Sequence, residues 1–105
     1  MNCEEARIRI QEILNTQILF EGHFNKCFDN LKETQKQDLL EWIEMCKNKE
    51  INPIQSKINR EIIGFVRRIG SNLRVILIKK KEEYFITLFL DKHKYYEVEM
   101  NKLGF

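Results

Sequence analysis

The sequence predicts an α+β domain: a helical hairpin packed on an antiparallel β-meander, with an extra helix at the N-terminus. Three observations predict it. Apolar residues recur with a period near 3.6 as far as residue 48, Asn52-Pro53 then interrupts the chain, and beyond it the period falls to two. A length of 105 residues fits one domain, with 1–15 as a helical extension and 17–105 as its body. Hydrophobic residues make up 43% and charged residues 32%, which suits a folded chain rather than a disordered one. No apolar stretch approaches the ~20 residues of a membrane span. Met-Asn-Cys-Glu-Glu carries acid where a signal peptide carries base, so the expectation is a soluble, cytoplasmic protein.

Ala6, Ile10, Ile13 and Leu14 mark one face of a short helix over 4–14, broken only by Ile8. Ile18-Leu19-Phe20 is too short for a helix and reads as a strand ended by Gly22. Phe24, Cys27, Phe28 and Leu31 keep helical spacing directly after it. Thr34 and Gln37 fit a capping box for an amphipathic helix over 34–48, carrying Leu39, Leu40, Ile43 and Cys46. A tight joint between these two helices makes the antiparallel hairpin. Residues 49–60 read as a connection. Ile62–Ile69, Leu73–Ile78 and Tyr84–Leu90 are strand runs, joined through Gly70-Ser71-Asn72 and the charged tip Lys79–Glu83. A final helix is expected from about Lys94 to Leu103, and the helices are expected to cover one face of the sheet.

The net charge of +2 conceals an uneven distribution. Residues 1–52 hold 7 basic and 10 acidic side chains, whereas 53–105 hold 11 and 6. An electropositive half favours an anionic partner, polyphosphates above all; the alternative is a solvated lysine-rich surface. Cys3, Cys27 and Cys46 are odd in number and far apart, so they read as reduced thiols, two of them buried. His23 and Cys27 have a spacing that suits two metal ligands, but no second pair completes a site, so no metal is expected.

Strand alternation puts Leu73, Val75 and Leu77 on one face and Arg74, Ile76 and Ile78 on the other. Only one of Arg67 and Arg68 then shares the face of Arg74. A guanidinium beside two isoleucines needs an anion. That anion is either a ligand or Glu61, Asp91 or the C-terminal carboxylate. At the exit of the last strand stand Asp91-Lys92-His93-Lys94-Tyr95-Tyr96. His93 is the side chain there suited to proton transfer near neutral pH. Lysines interleaved with tyrosines suit single-stranded RNA, whose bases stack while its phosphates meet cations. The alternative is that the tyrosines anchor the last helix and the lysines are solvated.

Taken together, Arg67-Arg68-Ile69-Gly70-Ser71-Asn72-Leu73-Arg74-Val75-Ile76, the short hairpin, Phe85–Leu90 and Lys92-His93-Lys94-Tyr95-Tyr96 resemble the C-terminal half of RelE/ParE-type toxins of toxin–antitoxin modules. In that superfamily an arginine–hydrophobic pair opens the strand after a glycine-containing turn, and the next strand ends in a basic cluster followed by tyrosine. The resemblance covers about residues 17–105 and rests on order and spacing.

It implies a RelE-like fold and a cofactor-free endoribonuclease that cleaves mRNA on the ribosome and is held in check by a cognate antitoxin. The RNA 2′-OH would be the nucleophile, so the protein must supply a base, phosphate-stabilising cations and an acid. By position, Arg74 matches the phosphate-stabilising arginine. Arg67, or Arg68 after a one-residue slip, matches the preceding basic position. Lys92 and His93 match the basic pair, and Tyr96, or Tyr95, the tyrosine. Arg74, His93 and Tyr96 are thus the expected catalytic set. Arg67, Arg68, Lys79, Lys80, Lys81, Lys92, Lys94 and Tyr95 are the expected RNA-binding set. Many members carry arginine where this chain has His93, which either takes an acid–base role or alters the site. ParE-type members instead poison DNA gyrase, and a gyrase poison or an inert relative would need only surface complementarity, with its arginine locked in a structural ion pair.

Overall fold

Nine elements follow one another in the computed structural model, which describes residues 1–105: α1 (Cys3–Leu14), β1 (Leu19–Gly22), α2 (Phe24–Asp29), α3 (Glu33–Lys47), β2 (Ile54–Gln55), β3 (Ile62–Ile69), β4 (Leu73–Lys80), β5 (Phe85–Lys92) and α4 (His93–Leu103). Asn2 caps α1: its side chain accepts from the Glu5 N–H at 2.9 Å, while the Glu5 carboxylate accepts from the Asn2 N–H at 3.2 Å. The cap of α3 differs from the expected Thr34–Gln37 box. Gln35 reaches back to the Lys32 N–H at 2.9 Å, so the helix starts at Glu33.

The expected meander is formed by β3, β4 and β5 over 62–92. It belongs to a larger mixed sheet of order β1-β5-β4-β3-β2. β1 lies parallel to β5, with Leu19 opposite Thr87 and Gly22 opposite Leu90. The segment read as a connection contributes the two-residue edge strand β2, which pairs with Ile63 and Gly64.

Period two along β4 divides the molecule into layers as expected. Leu73, Val75 and Leu77 join a core of 20 buried residues, built with Ala6, Ile10, Phe28, Leu39 and Ile43 from the helices. Each of the larger side chains here, removed from water, contributes about 1.5–3 kcal/mol, so this face dominates stability. Ile76, Ile78 and Phe89 point the other way, where Tyr96, Met100 and Leu103 of α4 cover them. The expectation that helices cover one face is therefore corrected. α1, α2 and α3 lie on one side and α4 on the other, because the alternating apolar residues of β4 and β5 leave both faces to be shielded. α1 packs against both α2 and α3, and its buried Ala6, Ile10 and Leu14 belong to the main core. No helix is long and apolar enough to cross a membrane.

Candidate functional site

Topology gathers chemistry at one end of the sheet. β1 and β5 run parallel, so their C-terminal ends lie side by side, and α2 and α4 start next to each other there. β4 runs opposite and begins at the same end, with Leu73 facing Lys92 and Arg74 facing Asp91. Gly22 makes the close approach possible. Its φ is +71°, and a Cβ would stand 2.8 Å from the Leu90 carbonyl oxygen and 3.1 Å from Asp91 Oδ2.

The next residue, His23, meets Asp91. Asp91 is only 3% exposed, yet its carboxylate is fully engaged. Oδ2 accepts from the His23 backbone N–H at 3.1 Å and pairs with His23 Nδ1 at 2.8 Å. Oδ1 accepts from the Lys92 N–H at 2.8 Å. An ionised carboxylate can only accept, so this contact calls for the proton on Nδ1, the tautomer in which the neutral ring offers Nε2 as an acceptor. The imidazole is 62% exposed, so it is held at one nitrogen and open at the other.

Beside this pair lies a cavity of about 240 Å³, lined by His23, Lys26, Asn30, Asp91, Lys92 and Tyr95 together with Cys27 and Leu73. Its volume falls below the range of roughly 300–1,000 Å³ usual for drug-sized ligands, so it has room for a small group rather than a large cofactor. The Tyr95 ring stands 5.6 Å from the His23 ring, and Lys94 Nζ lies 4.9 Å over Tyr95. Burial first, and the Asp91 charge second, push the Cys27 thiol up, which leaves it protonated and a poor nucleophile.

The sequence-predicted residues divide into three groups. Arg68 and Arg74 face each other across β3 and β4 on the α4 side. Arg74 Nη1 donates to the Leu73 carbonyl at 2.9 Å, and Arg74 forms no ion pair with Glu61, Asp91 or the terminal carboxylate. Its ladder partner Asp91 and its neighbour Leu73 both line the cavity. Arg67 is opposite Val75, on the main-core side, where its charge acts on Cys46. Of the two arginines left open in the sequence, Arg68 is the one that joins Arg74, and Arg67 drops out of this surface.

Around α4, Lys92 and Tyr95 line the cavity, and Lys94 covers Tyr95. His93 lies outside the cavity lining: its Nε2 is 3.1 Å from Glu97, and its ring stacks on Tyr96 at 6.1 Å. Tyr96 packs on Ile76, Ile78 and Phe89, so Tyr95 is the tyrosine that faces the cavity.

The third group is remote. Lys79 lies over Phe85 at 5.0 Å, Lys80 pairs with Glu83 at 3.4 Å, and Lys81 follows at the hairpin tip. At about 3.3 Å of rise per residue these lysines stand roughly 20 Å along β4 from Arg74. The Glu83 carboxylate holds the Lys80 ammonium above its ordinary range, a local pairing without bearing on the cavity.

Sequence reasoning weighed His23 only as a metal ligand beside Cys27, did not find Lys26, and met Asp91 as a possible partner for Arg74 at the exit of the last strand. The available signal was a histidine just after a strand-ending glycine and three residues before a lysine on the following helix. Comparison of the chain with protein-family models, with curated proteins and with solved structures finds no match.

Proposed function

We propose that this protein is the toxin of a toxin–antitoxin module, an endoribonuclease that cleaves mRNA on the ribosome by activating the RNA's own 2′-OH. The observation that carries the reading is Arg74. It forms no ion pair and lies beside an end of the sheet that also presents Arg68, Lys26, Lys92 and the Tyr95 ring. Phosphates suit the cations and an unstacked base suits the tyrosine, as single-stranded RNA requires. An inert relative or a gyrase poison has no need of an unpaired arginine next to a cavity of this chemistry. On this reading the protein acts in the cytoplasm, and an acidic or amphipathic antitoxin segment covers the electropositive surface.

The test uses purified protein, ribosomes programmed with an end-labelled mRNA, and a parallel gyrase supercoiling assay. Cleavage in the ribosomal A site with supercoiling unaffected supports the reading. Intact mRNA together with inhibited supercoiling replaces it with the gyrase alternative.

A further inference from the structure

We propose that His23, oriented by Asp91, is the general base of the RNA-cleaving site, with Lys26 and Lys92 on the scissile phosphate and Tyr95 under a neighbouring base. This inference rests on the endoribonuclease reading and replaces His93 as the acid–base residue. The geometry separates the two histidines. His93 is paired with Glu97 on its own helix and stacked on Tyr96. His23 has Nδ1 bound to a buried carboxylate, Nε2 open, and a place in the cavity wall.

A carboxylate that fixes the tautomer and steadies the imidazolium supports general-base catalysis by a histidine. Three hydrogen bonds hold Asp91 in place, two of them from backbone N–H groups, so the orientation does not depend on flexible side chains. His23 immediately precedes α2, Lys26 lies three residues on within that helix, and Lys92 ends β5, so base and cations reach the same space from two sides.

In the step, Nε2 of His23 takes the proton of the 2′-OH and the 2′-oxygen attacks the adjacent phosphorus. The bond to the 5′-oxygen breaks. The leaving oxygen receives a proton from the Lys26 ammonium, and solvent then takes the proton from the His23 imidazolium and returns one to Lys26. The products are a 2′,3′-cyclic phosphate and a 5′-hydroxyl, and no metal or redox partner takes part.

The charged and titratable groups facing His23 are Arg7 of α1, Lys26 and Cys27 of α2, Asp91 and Lys92 of β5 and Tyr95 of α4. His23→Gln is the principal variant, because an exposed ring can be replaced without opening the core. Its cleavage of ribosome-bound mRNA should fall by about 10²–10⁴-fold, the usual contribution of a general base, and the dependence of rate on pH near neutrality should flatten. Asp91→Asn should lower kcat with KM unchanged and displace that pH dependence, a change that simple loosening of the fold does not produce. Circular dichroism and urea unfolding confirm that each variant is folded. If parent and His23→Gln cleave alike while His93→Gln is slow, the assignment to His23 is overturned and the endoribonuclease reading stands. If the parent cleaves neither ribosome-bound nor free RNA, the endoribonuclease reading falls, and the catalytic role of His23 with it.

Discussion

Arg68 and Arg74 occupy directly opposed positions in the β3–β4 ladder, two like charges on one face with no acid bridging them. Like charges in that relation destabilise a sheet by roughly 0.2–1 kcal/mol. Replacing either with threonine is therefore expected to stabilise the fold by about that amount, and added salt should shrink the gain. The same substitutions should weaken RNA binding. Urea unfolding at low and high salt, alongside an RNA-binding titration, checks both halves. A loss of stability in Arg68→Thr would show that the pair is bridged in solution.

The adjacent tyrosines should separate cleanly. Tyr95 lines the cavity and remains 42% exposed, so on the proposed RNA reading Tyr95→Ala should cost about 1–3 kcal/mol of RNA binding through lost stacking, with little change in unfolding. Tyr96 packs on Ile76, Ile78 and Phe89, so Tyr96→Ala should lower stability by an amount readable in Tm. Reversed effects would place the site on the Tyr96 and His93 side of α4.

Cys46, 1% exposed, offers a pH test of the main core. Burial pushes its thiol from 9.0 up to about 12, with the Arg67 charge pulling the other way. Between those values the unfolded chain gives up this proton and the folded chain keeps it. Stability must then fall as pH rises above 9, with a slope of up to about 1.4 kcal/mol per pH unit from this group. Below that window the group contributes no slope. Cys46→Ala should remove this part of the decline, so urea unfolding of parent and variant at pH 7, 9 and 10.5 isolates it. Parallel declines in the two proteins would refute the assignment.

Gly104 closes α4 at φ +82°, and a Cβ there would stand 2.6 Å from Ile58 Cγ1 and 2.9 Å from Ser56 Oγ. Those neighbours hold the helix end: Ser56 Oγ donates to the Leu103 carbonyl at 2.8 Å and the Lys57 N–H to the Gly104 carbonyl at 2.7 Å. Gly104→Ala is expected to cost about 1–2 kcal/mol from the left-handed backbone alone, and more as Ile58 is displaced. A scanning calorimeter should register a lower Tm, and the near-ultraviolet signal of Tyr95 and Tyr96 should change with it.

What was legible in the sequence was local. Period two over 62–90 gave the meander, and alternation along β4 assigned Leu73, Val75 and Leu77 to one face and Arg74, Ile76 and Ile78 to the other. The parallel pairing of β1 with β5 was not legible, because no short-range pattern records a partner some 68 residues away, as the register of Leu19 with Thr87 requires. The His23–Asp91 contact depends on that pairing and was hidden with it. Arg67 and Arg68 stayed interchangeable until the ladder register fixed which one faces Arg74. Tyr95 and Tyr96 likewise could not be separated until the orientation of α4 on the sheet was known.

Unlike the other long helices, α4 buries none of its residues fully. It is attached through three buried sheet residues, the clasp at Ser56 and Lys57, and the His93 N–H on the Asn72 carbonyl. An element held so lightly opens at a fraction of the global unfolding free energy. Its amides should exchange with deuterium well before those of β4 and β5. Such an opening would carry Tyr95 and His93 away while His23 and Asp91 stay with the remainder, so the Tyr95 wall of the cavity should loosen before the His23–Asp91 pair does. On the proposed RNA reading, a base stacked on Tyr95 would hold that wall in place, and slowed deuterium exchange along α4 on adding RNA would report it.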